Sequence, residues 1–152
     1  MKALWKVGFA VVAMCAVVGC EPQGPEEVAL GYLEAMRDGK MRQAWERVSA
    51  QDQAAMPLRV LEAQREQAGE QVDGLAGRVG FEVLGVDASP ESEEAVVRVQ
   101  VLLVGAKGGE EIAGDVEEVR LRRESDTWRV DTEWAERQAE VLDRPEQGAP
   151  AR

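Results

Sequence analysis

From Val79 onward the hydrophobic repeat of this chain falls to two residues, whereas before it the repeat is three to four. A helical period followed by a strand period confines the fold to a helix-first, sheet-second order. Upstream, Val28 or Ala29, Tyr32, Leu33 and Met36 make one apolar stripe. Pro25, with its fixed φ, and Glu26 and Glu27, with their negative charge, suit the first turn of that helix, and Asp38-Gly39 ends it. A second helix is predicted with Met41, Ala44, Trp45 and Val48 buried and Lys40, Arg42, Glu46 and Arg47 toward water. Pro57 predicts a break after a short turn to Met56, then a helix carrying Leu58, Leu61 and Ala68 inward. Residues 67–77, rich in Gly, Gln and acid, read as a loop.

In the second half Val79, Phe81 and Val83 alternate with polar or small residues; Leu84 and Val86 then shift the phase, and Gly85 marks a bulge. Residues 95–104 form the strongest strand, with Val97, Val99, Val101 and Leu103 on one face and Arg98 and Gln100 on the other. Residues 116–123 repeat the pattern, Val119 and Leu121 inward against Glu118, Arg120 and Arg122 outward, and Trp128 and Val130 alternate with Arg129 and Asp131. Turn residues at 87–92, 105–109 and 124–127 join these runs as antiparallel hairpins. Every side chain assigned inward is aliphatic or aromatic, with no Asp or Glu among them. One apolar sheet face needs a cover, and the N-terminal helices supply it, giving the α+β class. A last helix is expected over 134–142.

The N-terminus carries a different signal. Lys2 and Lys6 precede an apolar run over 7–18, and small residues then lead to a cysteine. About a dozen apolar residues are too few to span a bilayer, which takes about 20, so the run reads as an export signal. Val17-Val18-Gly19-Cys20 resembles the lipobox of bacterial lipoproteins. That resemblance implies acylation of the Cys20 thiol and cleavage between Gly19 and Cys20. The expected organisation is a signal peptide over 1–19, a lipidated tether over 20–24, one domain over 25–142 and a disordered tail over 143–152 with Pro145, Gly148 and Pro150. Cys15 leaves with the signal and Cys20 carries lipid, so no free thiol remains for disulfides or nucleophilic chemistry. Glu21 stands where the inner-membrane retention signal of many lipoproteins has aspartate, which points to the outer membrane, facing the periplasm.

Composition narrows the function. Removing the first 19 residues leaves 133, and Lys2 and Lys6 go with them, so 16 basic residues face 29 acidic ones at a formal charge of −13. Nucleic acid and anionic lipid both call for a positive field and are excluded as broad partners. The chain has no histidine, which removes Ser-His-Asp and Cys-His arrangements and the usual zinc sites. Glu91 to Glu94, Glu110-Glu111 and Glu117-Glu118 lack the alternating oxygen ligands and glycine of a calcium loop. They read as solvated turns and as cross-strand partners of Arg98, Arg120 and Arg122. No metal or cofactor is expected.

The order of helices, antiparallel sheet and late Trp128-Arg129-Val130-Asp131, with Tyr32-Leu33-Glu34-Ala35-Met36, Asp38-Gly39-Lys40 and Ala44-Trp45, resembles the nuclear transport factor 2-like superfamily over about residues 25–131. It is similar in particular to short bacterial lipoproteins of unassigned function. The resemblance implies helices packed in the concave face of a curled four-stranded sheet, a cystatin-like cone, and a pocket among Tyr32, Trp45, Val99, Val101 and Trp128. Enzymes of the ketosteroid isomerase kind need a carboxylate base inside the cone, and no inward residue supplies one. The expectation is a non-catalytic binding or assembly module of the cell envelope, with a protein partner or a second copy on the outer sheet face. A small-molecule carrier or an isomerase or dehydratase using the cone interior is the alternative, favoured by any polar residue beside Tyr32.

Overall fold

The computed structural model describes residues 23–76, 78–89, 91–105 and 111–143. Residues 17–20, expected to form a lipobox, and residues 144–152 of the expected tail lie outside the described residues, whereas Asp143 ends α5. Helix α1 (Pro25–Arg37) is followed by α2 (Met41–Trp45), α3 (Ala50–Ala55) and α4 (Leu58–Ala76). Strands β1 (Val79–Asp87), β2 (Glu94–Val104), β3 (Glu111–Glu124) and β4 (Thr127–Asp131) come next, and α5 (Trp134–Asp143) closes the order. The class is α+β, with one open antiparallel sheet in the sequential order β1-β2-β3-β4.

Register follows from alternation. Val83 faces Val99, Phe81 faces Val101 and Val97 faces Val119, so the apolar residues of three strands share one face. The slip between Val83 and Gly85 is the predicted bulge, and it returns Val86 to the row of Val97. Ser125 and Asp126, at φ 47° and 64°, make the tight β3–β4 hairpin that a two-residue connection with positive φ at both positions allows.

Helix α1 lies on that apolar face. Val28 and Ala29 pack with Val97, Val99, Leu121 and Val130, and Tyr32, Leu33, Phe81 and Trp128 surround this core half-buried. Elsewhere on α1, Gly31 leaves room for the Arg47 side chain that follows α2: a Cβ there would stand 2.7 Å from Arg47 Nε. Arg37 ties the end of α1 to the start of β1, donating to the Val79 carbonyl at 3.1 Å and lying 5.8 Å from the Phe81 ring centroid.

The segment between α2 and α3 is drawn onto the sheet. Val48 bridges β4 in parallel: Val130 N donates to Arg47 O and Ser49 N donates to Val130 O, both at 2.8 Å. This covers part of the β4 edge, which would otherwise offer unpaired main-chain groups. The predicted second helix is therefore shorter than its apolar stripe, because Val48, fully buried, belongs to the bridge. Residues 67–76, expected as a loop, continue α4, with one non-helical residue at Gly69. Leu61 is buried in that helix as expected, whereas Ala68 stays exposed. Strand β3 begins at Glu111, five residues before the predicted start.

Candidate functional site

Two cavities flank α1 and share Leu33 and Phe81 as a common wall. One, of about 470 Å³, is an apolar groove between α1, α4 and the start of β1, where Met36, Met41, Leu61 and Val79 meet. The other, of about 660 Å³, is a cleft open to solvent between α1, β3 and the β4–α5 corner. It mixes apolar walls (Phe81, Val101, Trp134) with polar groups (Tyr32, Glu117, Arg137). This mixture is the usual make-up of a small-molecule site.

Each polar group reaches the cleft for a local reason. Tyr32 is in register with Val28 and Leu33 on the buried stripe of α1 but near its edge, so its ring joins the core while its hydroxyl lines the cleft. No hydrogen bond reaches that hydroxyl among the described residues. Burial raises its pKa above the ordinary tyrosine value, the Asp52 charge adds to the shift and the Arg137 charge opposes it. The phenol therefore keeps its proton and is a neutral donor and acceptor.

Glu117 stands directly opposite Val99 across the β2–β3 ladder and two residues from Val119. It shares the inward face with those valines, and the expectation that no carboxylate lies there is corrected. The start of β3 extends past the helical cover, so an inward position there is exposed and can carry charge. No ion pair holds Glu117 among the described residues.

The third wall depends on Asp52, which is only 2% exposed. Its carboxylate accepts from Thr132 N at 2.7 Å, Thr132 Oγ1 at 2.9 Å and Ala135 N at 3.0 Å. It thus caps the first turn of α5 from a different helix, satisfying N–H groups that have no partner within α5. Burial pushes its pKa up, but the bonds from Ala135 and Thr132, with help from Ser49, outweigh this and hold it below the usual carboxylate value. With α5 fixed there, Trp134 and Arg137 face the cleft, and Arg137 donates to the main-chain carbonyls of Thr132 and Glu133.

Of the five residues expected to form a pocket, Tyr32 and Val101 line this cleft. Val99 is fully buried in the core beneath it. Trp128 packs half-buried against the core without lining the cleft, with the Arg123 guanidinium 5.6 Å from its ring centroid. Trp45 braces the helices instead: its Nε1 donates to Met56 O at 2.8 Å, and Gln53 Nε2 donates to Trp45 O at the same distance. Asp52, Trp134 and Arg137 were not singled out by sequence. The alternation of β3 alone places Glu117 inward, since it shares parity with Val119 and Leu121. Among the described residues no group of three or more His, Cys, Asp or Glu could hold a metal, and no helix is long and apolar enough to cross a membrane.

No protein-family model and no curated protein matches the chain. Among solved structures it is similar to the solution structure of a SEC-C motif containing protein from Rhodopseudomonas palustris, at 15% identity and a TM-score of 0.47, covering 70% of this chain and 74% of that one.

Proposed function

We propose that the chain is a non-catalytic binding module of the bacterial cell envelope, anchored through acyl chains on Cys20, that holds a small molecule in the cleft beside α1. The observation that carries the binding role is that Tyr32, whose hydroxyl has no hydrogen bond, and Glu117, whose carboxylate has no ion pair, line one cleft of about 660 Å³ with mixed polar and apolar walls. Groups left without partners in a concave site are groups a ligand can satisfy. The position of α1 across the inward face of the sheet supports the nuclear transport factor 2-like cone as the finer reading of the fold.

Catalysis is less well served. Acid–base work needs a poised base held near its acid in a site that excludes water. Glu117 is exposed, and Tyr32 holds its proton more firmly than an ordinary tyrosine. Assembly through the outer sheet face is the second reading, favoured by Val116, which stands there opposite Gln100 about half exposed.

Native mass spectrometry of the full-length protein, extracted gently from the membrane of the cells that make it, tests both parts. The expected mass is that of a chain beginning at Cys20 with acyl chains, carrying a small molecule at one-to-one stoichiometry. An unacylated chain rules out the anchor. An empty acylated monomer counts against the cleft, and a second protein chain in place of a small molecule moves the outer face ahead.

A further inference from the structure

Resting on the cleft as a ligand site, we infer that its ligand is an organic cation: a protonated amine on an apolar, preferably aromatic, body. The charges around the cleft are not equally available. Arg120 is paired with Glu133, and Asp131 with Arg122. Arg137 turns two of its donors onto the Thr132 and Glu133 carbonyls. Its charge and that of Asp52 act in opposite directions on the Tyr32 hydroxyl, Asp52 the more strongly. Glu118 alternates to the outer face, opposite Arg98. Glu117 remains as the inward carboxylate without a partner among the described residues.

The neighbours of Glu117 suit an ammonium group. Tyr32 lines the same cleft, and its neutral phenol is a further acceptor for N–H donors there. Trp134 lines the same cleft, and no cation stacks on it among the described residues, whereas Phe81 and Trp128 already have Arg37 and Arg123. An indole face is the best of the aromatic surfaces for a cation. Phe81 and Val101 supply the apolar wall for the body of the ligand. The whole chain, at a formal −11, draws cations toward it.

The test is isothermal titration of the purified full-length chain with three probes sharing one body: phenethylammonium, 2-phenylethanol and phenylacetate. The expected order has phenethylammonium binding about tenfold tighter than the other two, as one hydrogen-bonded charge contact provides, and weakening as salt rises. Glu117→Gln should remove that tenfold preference while leaving 2-phenylethanol binding unchanged. Glu82→Gln, on the opposite face of the sheet, should leave all three unchanged. Both positions are exposed, so unaltered thermal melting is the check that each variant folds. Equal binding of the three probes, or a preference for phenylacetate, overturns the cation inference and leaves the cleft as a ligand site. Binding of none in the millimolar range overturns the cation inference and the cleft together.

Discussion

Asp52 shows how one residue can position a site without touching its ligand. It sits in α3 three residues after the Ser49 cap, whose Oγ accepts from the Asp52 N–H, a local spacing that marks the start of α3 and says nothing of α5. Its burial arises only when α5 arrives from 80 residues further on to place Thr132 and Ala135 against it. A contact of that kind has no local signature, and sequence reasoning passes over it. Asp52→Asn keeps the shape but turns an amide N–H₂ toward donors, so it should cost about 2–3 kcal/mol, the penalty for buried polar groups left unpaired. Urea denaturation checks this, and the pH dependence gives the sign. The folded pKa of Asp52 is depressed, so the unfolded chain binds more protons and stability rises with pH. The stabilisation is complete above the unfolded carboxylate value of about 3.9 and is lost as pH falls through the lower folded value. The gap between wild type and Asp52→Asn should therefore be full at neutral pH and shrink only in that acid window. A gap that instead closes on raising the pH would show that Asp52 is not the charged cap.

At the level of elements, periodicity revealed what packing merely reinforces. Strands β1, β2 and β4, the bulge at Gly85, and helices α1 and α5 all follow from residues that alternate or recur along the chain. It missed elements whose formation runs against local composition. Residues 67–76 contain two glycines, each costing a helix about 1 kcal/mol, yet they continue α4 with one non-helical residue at Gly69. Glu111 to Asp115 carries too few apolar residues to announce a strand, but pairing with β2 extends β3 through it. The site was half visible for the same reason: Tyr32 and Val101 belong to apolar stripes, whereas Trp45, also on a stripe, is turned away by its bond to Met56. Trp45→Phe tests that assignment. It should lose about 1 kcal/mol of stability, the value of one such hydrogen bond, and leave probe binding in the cleft unchanged by titration. A loss of affinity without a loss of stability would return Trp45 to the ligand site.

On the scale of the whole molecule, charge and anchoring work against each other, and this makes the proposed anchor testable. The chain carries 29 acidic and 18 basic residues, and two of the basic ones lie in the proposed signal. A surface of that sign is repelled by anionic lipid within a Debye length of about 8 Å at physiological salt. The domain has no electrostatic means of staying on a membrane, and no described helix can cross one. Under the proposed anchor, membrane affinity would come from acyl chains on Cys20, each buried methylene contributing about 0.8 kcal/mol. Only residues 21–24 separate that cysteine from α1, a span of at most about 14 Å at the extended rise of about 3.5 Å per residue. The cleft would thus stay close to the bilayer, where amphipathic cations gather at anionic headgroups. Cys20→Ala should move the protein from the membrane fraction to the soluble fraction by at least about tenfold, since two acyl chains are what distinguish stable from marginal attachment. Fractionation after a high-salt wash is the measurement. If a Cys20→Ala chain shown by its mass to have lost residues 1–19 still sediments with membranes, a partner protein holds it there, and the exposed outer face of the sheet becomes the surface to mutate.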